Sequence, residues 1–449
     1  MQPLLVSFRS IALPVFVNKL ILLLVLVSET FFLSKVSNDA VVGVSSALPL
    51  IYGCVTLIGA FASMTTSRLG RAIGESNEEK VKRAFSAGLC VCLACGLILM
   101  IAQISVAPYL GSWLGLNSAA SEAAKLYIYG ISPMCLLDGL FLTFTSFLYV
   151  RGIAKKSLLP SAILLLCSTI INFVLLYGII PGLTLEPLTI ALSTLIAQLP
   201  PLIMLAIQLY KSGGMHLQRD LRFDARTLKY ARSIVRDGLP ACAEPVSANL
   251  LILCAVSLIS PFGAFTLAAL SYCRNVMLIL VTATSGAVGL ATQVLVSRAQ
   301  GSNDFSGADR VMQRSINRFI PVLLLTLVIV ALLSQFSGGI ISIFTSDEAV
   351  LKAASSIFAI MIFSETAKAL NFIIGPSLRG SSDVRLPTTF AVISHWVVGF
   401  LLAYILSHHF GFVGVLLGLA CDEAARCLFN FIRWKAGNWK INLQRDQAV

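Results

Sequence analysis

Three acidic side chains interrupt long apolar stretches of the sequence and are candidates for binding a cation. Glu29 lies in VLVSETFFL, Asp138 follows MCLL, and Glu244 follows GLPACA. A charge at the centre of a bilayer costs at least about 2.5 kcal/mol, so an acid kept inside a membrane helix is a functional candidate. A buried carboxylate can exchange a proton for sodium or for an organic cation, which is the chemistry we expect here.

Each of these acids also has a structural explanation. Glu29 could lie near the outer interface, where water would solvate it, Glu244 could serve only to pair with a base, and Asp138 could tie helices together. Pro245 directly follows Glu244 and predicts a local kink that would free a backbone carbonyl toward a bound ion. The sequence favours the functional explanation for Glu29 and Glu244 and leaves Asp138 balanced between the two.

Basic residues inside apolar segments need partners of their own. Lys19 is expected to snorkel to the interface or to pair with another helix. Arg274, in SYCRNVM, requires an acid or backbone carbonyls, and Glu244 on the adjoining helix is the expected partner.

Two further charge clusters are predicted from spacing in the second half. Glu365 and Lys368 are three positions apart on a helix, which predicts an ion pair. The pair is either a structural clamp or a device in which Lys368 is a built-in cation that protons or substrate must displace. Asp422, Glu423 and Arg426 are interpreted as an interfacial network that anchors the last helix at the cytoplasmic face.

The composition places these residues in a membrane protein. Of 449 residues, 57% are hydrophobic and only 12% are charged, and the mean hydropathy is +0.87. Apolar runs of about 20 residues recur, each long enough to cross about 30 Å of hydrocarbon as a helix, whereas barrel strands would alternate over about ten residues. We therefore predict an all-α integral membrane protein. Its first apolar run is too long for a signal-peptide core and is expected to be retained.

The apolar runs predict twelve membrane-spanning helices, near residues 11–34, 41–66, 84–107, 125–150, 158–180, 188–210, 236–260, 264–297, 316–345, 350–376, 386–407 and 411–433. With a cytoplasmic N-terminus, most of the 33 lysines and arginines fall in cytoplasmic loops, as the positive-inside rule requires. The outer loops then hold only Lys35, Lys125 and Lys352. Topology and anionic lipid therefore account for the net charge of +12, and nucleic acid is not an expected partner.

An internal repeat with an offset of about 227 residues organises the chain. The repeated pairs are LP at 13–14 and 239–240, RAIG at 71–74 and RAQG at 298–301, and the arginine of VRG at 151 and of LRG at 379. We predict an N-terminal six-helix lobe (1–210), a partly helical cytoplasmic linker (211–236) and a C-terminal six-helix lobe with a short cytoplasmic tail (237–449). Six spans return the chain to its starting side, so the pseudo-twofold axis should run along the membrane normal.

A set of motifs recurs at defined places along both halves. They are the two LP pairs, SETFFLSKVSNDAVVGVS, SRLGRAIGESNEEKVKRAF, SRAQGSNDFSGADRVM, LRGSSDVRLP and GLACDEAARCLFNFIRW. In this order the motifs resemble the multidrug and toxic compound extrusion (MATE) transporters, and the resemblance covers the whole chain. It implies a V-shaped pair of lobes and a secondary antiport, driven by protons or sodium, that exports organic, often cationic and amphipathic compounds.

The resemblance also implies roles for individual residues. Glu29 occupies the place of the family's first-helix acid, and Glu244 the place of another family acid. Asn172 matches an asparagine that supports the first-lobe site, but Leu176 stands where such relatives often carry aspartate, so that Asp138 could supply the charge instead. In the second lobe Lys368 replaces a family acid. Because the chain departs from the family at both sites, the sequence leaves the coupling ion open between H⁺ and Na⁺.

The expected function is transport by a monomeric, multi-pass protein of the cell membrane with cytoplasmic termini. Other classes of function are alternatives to it. The main alternative is a superfamily flippase, in which Lys19, Arg274 and Lys368 would bind the pyrophosphate of a lipid-linked precursor. An enzyme is disfavoured because no nucleophile or paired-acid site is present, and a channel because two similar bundles form a gated cleft more naturally. Neither a metal nor a cofactor is expected; the partners are a small organic substrate and membrane lipid.

Overall fold

The computed structural model describes residues 7–179, 185–335 and 347–440, which form helices joined by short turns and contain no β-strand. Contacts divide the chain into two compact units, Met1–Gly238 and Leu239–Val449. The predicted all-helical membrane fold is therefore confirmed.

The first unit contains nine helices within the described residues. They are α1 (Phe8–Ser34), α2 (Asn38–Gly74), α3 (Glu78–Trp113), α4 (Ser118–Ile131), α5 (Met134–Arg151), α6 (Leu158–Leu176), α7 (Pro187–Ala197), α8 (Leu199–Gly213) and the short α9 (Leu217–Asp220). Helix α2 packs on α3, α4 and α5, while α6 and α7 pack on each other and both contact α1.

The second unit is centred on one long helix. Its helices are α10 (Ala225–Ile259), which begins in the first unit, α11 (Ala264–Met277), α12 (Ala283–Gly301), α13 (Phe305–Gln335), α14 (Glu348–Gly380), α15 (Arg385–Ser394) and α16 (Leu401–Lys435). Helix α14 packs against α11, α12, α13 and α16. Short π-helical segments join α11 to α12 and α15 to α16.

Eleven helical segments within the described residues are long and apolar enough to span a membrane. The last of them, Arg385–Lys435, has 51 residues and contains two of the predicted spans. Gly411 separates these spans with φ 60° and ψ −142°, a backbone conformation that is accessible essentially only to glycine. Counting the two spans separately gives the predicted twelve, although residues 336–345 of the predicted ninth span lie outside the described part of the chain.

Some predicted helices are not continuous α-helices: residues 188–210 form α7 and α8, which meet at Gln198, and residues 264–297 and 386–407 contain the π-helical segments between α11 and α12 and between α15 and α16. The predicted fourth helix, residues 125–150, is two helices, because α4 ends at Ile131 and α5 begins at Met134. Pro133, which lacks an N–H, precedes α5 and occupies its N-cap position. The sequence predicts one helix here because the apolar pattern continues across this junction.

The internal repeat is visible in the turn geometry as well as in the sequence. After α2, Ser76 has φ 55°, and after α12, Asn303 has φ 56°. The residue that follows each of them caps the next helix: Asn77 Oδ1 accepts from the Lys80 N–H at 3.0 Å, and Asp304 Oδ1 accepts from the Gly307 N–H at 2.7 Å. The two halves therefore use the same helix stop and start signals at equivalent places.

Ion pairs attach the segment between the halves to the first unit. Lys82 Nζ lies 3.0 Å from Asp220 Oδ1, and Arg83 Nε lies 3.2 Å from Asp224 Oδ2. Arg68 of α2 forms a buried ion pair with Asp237, just before α10 enters its apolar stretch. These ion pairs thus hold the segment against α2 and α3.

Candidate functional site

Glu29 is buried between three helices of the first unit. Its side chain on α1 is 9% exposed. Thr194 Oγ1 on α7 donates to Glu29 Oε1 at 2.5 Å, and the Tyr127 hydroxyl on α4 donates to Oε2 at 3.4 Å. Each carboxylate oxygen therefore has a hydroxyl partner, and the explanation of Glu29 as a solvated interfacial acid does not fit this geometry.

Helix α7 brings Glu29 and Asn172 to one place. Ser193, the neighbour of Thr194, donates its hydroxyl to Asn172 Oδ1 at 2.5 Å. Asn172 on α6 is fully buried, and its Nδ2 amide has no hydrogen-bond partner among the described residues. Adjacent hydroxyls of α7 thus bridge two of the residues singled out in the sequence.

Further polar contacts continue along the same helices. Ser28 and Thr169 hydroxyls are 3.1 Å apart between α1 and α6, and Asn18 Nδ2 donates to the Tyr149 hydroxyl on α5 at 2.9 Å. Polar side chains of this kind tie membrane helices together, because hydrocarbon offers no alternative partner. An apolar cluster containing Phe32 and Ile190 lies beside this polar region.

Asp138 and Lys19 stay apart from these contacts. Both side chains are partly exposed within apolar helices, and neither forms a hydrogen bond or ion pair with the residues that the structure describes. The sequence left open whether Asp138 ties helices together, and the described contacts include no such tie. Lys19, likewise, has no described partner on another helix.

Glu244 is bound by arginines other than the predicted one. Its Oε2 lies 3.7 Å from Arg379 Nη1 on α14, and its Oε1 lies 3.7 Å from Arg426 Nη1 on α16. Arg274 is exposed on α11 and forms no ion pair with a described residue. The predicted Glu244–Arg274 pair is therefore wrong, because α14 and α16, rather than α11, present their cations to Glu244.

Arg426 is the centre of a buried charge network. It contacts Asp422 Oδ2 at 3.0 Å and Glu423 Oε1 at 2.7 Å. Asp422 is 2% exposed and also accepts from the Ser394 hydroxyl at 2.6 Å. The predicted network of these three residues is therefore present, and Asp422 and Arg426 are buried inside the unit rather than solvated.

His395 extends this network toward α10. Its imidazole is fully buried, with Nδ1 3.0 Å from the Ser247 hydroxyl and Nε2 3.9 Å from Asp422 Oδ2. The residue begins the π-helical segment between α15 and α16. Such segments often occur at functional positions.

The predicted Glu365–Lys368 pair is present. Lys368 Nζ lies 3.0 Å from Glu365 Oε1, and Glu365 is 5% exposed. Because a neighbouring ammonium offsets the cost of burying the carboxylate, this geometry agrees with the structural clamp.

Sequence reasoning missed the groups that hold Glu29. Thr194 and Tyr127 are 165 and 98 positions from it. Two adjacent hydroxyl residues, Ser193 and Thr194, in the otherwise apolar TIALSTLIA were the available signal. In the second unit, Arg379 was recognised only as part of the internal repeat, and the structure places it 3.7 Å from Glu244.

Comparison with known proteins identifies the group of proteins with this arrangement. A sequence model of the MatE family matches residues 14–177 and 240–405, one match in each half. The chain belongs to the MATE family. "Uncharacterized transporter YisQ" of Bacillus subtilis is 25% identical over 440 residues, covering 96% of this chain and 94% of that protein.

Two other similarities place the fold and the family's activity. "Probable multidrug resistance protein NorM" of Oceanobacillus iheyensis is 22% identical over 429 residues, with 93% and 94% of the two chains covered. A solved structure of a MOP superfamily transporter from Pyrococcus furiosus superposes with a TM-score of 0.85 at 16% identity, covering 96% of each chain. This MATE protein is thus a multi-pass membrane protein of a multidrug efflux family with the two-lobe, twelve-helix fold, and its bacterial relatives imply a cell membrane.

Proposed function

We propose that this MATE protein is a secondary active antiporter that exports organic, cationic or amphipathic compounds by alternating access. The multidrug resistance names of its relatives support this class of substrate. A proton or sodium gradient supplies the free energy. The protein works as a monomer, and its termini lie in the cytoplasm, since the loops rich in lysine and arginine then face that side.

The setting of Glu29 is the observation that carries the proposal. Its carboxylate lies within a membrane helix, has two hydroxyl partners, and has no basic partner among the described residues. An embedded acid without a fixed counter-ion is most stable when a mobile cation or a proton neutralises it. The coupling ion and a cationic substrate would therefore compete for Glu29, so that only one of them is bound at a time. Antiport requires such mutually exclusive binding.

Asn172 and Asp138 complete this site in the proposal. Asn172 accepts from Ser193, the neighbour of the Thr194 that donates to Glu29, and its Nδ2 amide, which has no partner among the described residues, is available to a polar ligand. Asp138 is a second acid without a described partner and serves as a contact for the substrate's positive charge. The positive charge of Lys19 partly offsets the negative charges of Glu29 and Asp138, the embedded acids of the first unit.

The acids of the second unit have fixed counter-ions instead. Glu244 contacts two arginines, and Glu365 contacts Lys368. These built-in cations occupy the position that an exchangeable cation would need. We therefore assign ion coupling to Glu29 and a structural role to the Glu365–Lys368 pair.

The proposal is tested with Glu29→Gln in proteoliposomes. Loss of the titratable and ion-binding carboxylate is expected to reduce gradient-driven efflux of an organic cation to the level of empty vesicles. Glu122→Gln is the matched control, because Glu122 is exposed and, among the described residues, pairs only with Lys125 in the next turn. An imposed proton gradient and an imposed sodium gradient are applied separately to identify the ion. Efflux by Glu29→Gln at the control rate would remove Glu29 from the mechanism.

A flippase for a lipid-linked precursor is the second candidate. The exposed side chain of Arg274 within an apolar helix favours it, because a pyrophosphate would satisfy that guanidinium. Transport of a labelled organic cation is compared with that of a labelled lipid-linked precursor in the same vesicles. Translocation of the lipid alone would replace the antiporter assignment.

A further inference from the structure

A basic groove lies in the second unit where α13 begins and α16 ends. It has a volume of about 370 Å³ and is lined by Asp309, Arg310, Phe431, Trp434, Lys435 and Lys440, among others. Its residues belong to neither the Glu29 site nor the Arg426 network. By the distribution of lysine and arginine, this end of the helices faces the cytoplasm.

One tryptophan, Trp434, lines the inner wall of the groove, and a second, Trp439, packs behind it. Trp434 and Trp439 are buried, and their rings stack with centroids 4.6 Å apart. Trp439 Nε1 donates to the Trp434 carbonyl at 3.0 Å, so its polar atom is satisfied internally. The groove therefore has an ordered aromatic wall that does not depend on a ligand.

The charges around the groove leave one cation unbalanced. Lys440 Nζ lies 2.8 Å from Asp309, and Arg310 lies 3.4 Å from Asp304. Lys435 has no acidic partner among the described residues, and its Nζ lies only over the Phe431 ring, 5.8 Å from the centroid. One surplus positive charge matches the single negative charge of a phosphodiester.

The surface next to the groove suits acyl chains. On the two turns of α16 before Lys435, Leu428, Phe431 and Ile432 are 59%, 40% and 57% exposed. Aromatic and basic side chains at the end of an apolar helix are typical of the headgroup region of a bilayer. Basic pockets between membrane helices on the cytoplasmic side bind the headgroups of anionic lipids.

We propose that this groove binds the phosphate of one anionic phospholipid, with Lys435 as its main contact and the acyl chains along Leu428 and Ile432. Free phosphate shares this chemistry but lacks the apolar portion that the exposed face of α16 would contact. The site is independent of the transported substrate and of the coupling ion.

The test measures phospholipid binding to the purified full-length protein. Retention of phosphatidylglycerol and of phosphatidylcholine is counted by native mass spectrometry across a lipid titration. Wild type is expected to retain one phosphatidylglycerol more tightly than any phosphatidylcholine. Lys435→Gln should weaken that binding about fivefold, since a basic residue near the membrane surface contributes about this factor. Asp309→Asn, which removes a competing carboxylate, should strengthen it.

Lys155→Gln is the matched control, because Lys155 is an exposed lysine at the predicted cytoplasmic face of the first unit. It should bind phosphatidylglycerol as wild type does. Equal retention of the two lipids, or equal affinities for Lys435→Gln and Lys155→Gln, would overturn the proposal. Displacement of the retained lipid by millimolar inorganic phosphate would assign the groove to a soluble anion instead. Asp309→Asn is expected to bind phosphatidylglycerol more tightly, and a folding defect would not produce tighter binding.

Discussion

Glu29 is accommodated in an apolar helix because other helices supply its hydrogen bonds. Thr194 and Tyr127 come from α7 and α4, and each donates to a different carboxylate oxygen. Hydroxyl groups can donate to an anion and can also turn to accept from a protonated acid or coordinate a cation. The same pair of neighbours can therefore serve Glu29 in each state that the proposed antiport requires.

Removing one of these hydroxyls should alter ion dependence without removing the acid. Thr194→Val keeps the side-chain shape and deletes a hydrogen bond to a charged acceptor, an interaction that contributes about 1.5–3 kcal/mol. We expect the concentration of coupling ion needed for half-maximal efflux to change by about tenfold or more. The measurement is efflux in proteoliposomes across a series of ion concentrations.

Thr326→Val is the control for that experiment. Within the described part of the chain, the Thr326 hydroxyl bonds only to the Val322 carbonyl of its own helix, at 2.9 Å. It should leave the ion dependence unchanged. If Thr194→Val also behaved as wild type, the Thr194 hydroxyl would have no part in ion binding.

What the sequence predicts about these sites depends on how local each interaction is. Glu365 and Lys368 are within one helical turn, so their spacing alone predicted the pair. Glu244 is bound by residues of α14 and α16, and choosing those two over Arg274 requires the packing of three helices. The acids themselves were identifiable because charge is rare in apolar runs, whereas their partners were not.

At the scale of helices, close packing depends on particular glycines. A Cβ added to Gly289 on α12 would lie 1.9 Å from the Phe372 carbonyl oxygen on α14. Backbone atoms cannot move aside as a side chain can, so α12 and α14 would have to separate. Small residues at such crossings are what allow membrane helices to approach closely.

Gly289→Ala should therefore destabilise the protein by about 1–3 kcal/mol, the usual cost of overpacking. Gly59→Ala is the matched control, since an added Cβ there meets nothing within 4 Å. Thermal melting in detergent compares the two variants. Equal melting temperatures for the two variants would show that the α12–α14 contact tolerates a side chain at position 289.

The start of α10 should be sensitive to acid. Asp224 accepts from the Thr227 backbone N–H at 2.7 Å, and this bond, with the Thr227 hydroxyl and Arg83, lowers the pKa of Asp224 from 3.8 to about 2. Because the folded pKa is below the usual value, the ionised carboxylate stabilises this helix start above about pH 4, and the effect is lost as the pH falls toward 2.

Pepsin cleavage between pH 4 and 2 measures this effect, because Phe223 and Leu228 are exposed beside Asp224. Cleavage there should rise as the pH falls in the wild type. Asp224→Asn can still accept the Thr227 N–H but does not titrate, so its cleavage should follow only the pH dependence of pepsin itself. Parallel pH profiles for the two proteins would exclude a role for Asp224 ionisation.

Helix boundaries show where apolar periodicity stops being informative. The twelve predicted spans were recognisable because each run is long enough to cross a bilayer. The break between α4 and α5 depends on one proline within apolar sequence, and hydropathy averages over that proline and so predicts one helix. The break at Gly411, in contrast, falls between two spans that the apolar runs predicted separately.

For the whole molecule, the two halves share a scaffold but not a site. Their turns after α2 and α12 have the same conformation, and both are followed by a capping residue. Glu29 has hydroxyl partners, whereas Glu244 has arginines. Duplication thus preserved the signals that start and stop helices while the embedded polar residues diverged.

Glu244→Gln should therefore behave differently from Glu29→Gln. It leaves Arg379 and Arg426 with less compensating charge, so we expect a lower melting temperature with ion-dependent efflux retained. Because the Glu244 side chain is 27% exposed, the loss of stability should be smaller than the cost of breaking a fully buried pair, which is about 3–5 kcal/mol. Loss of ion dependence in a Glu244→Gln protein that melts as wild type would contradict this division of roles.

The buried pair between Arg68 and Asp237 has a consequence for biosynthesis. The two residues are separated by 169 positions, and Asp237 immediately precedes the first apolar stretch of the second half. While a ribosome is still making the first 236 residues, Arg68 has no Asp237 to neutralise it. The N-terminal half thus reaches its final electrostatic state only once translation has reached the start of the other half.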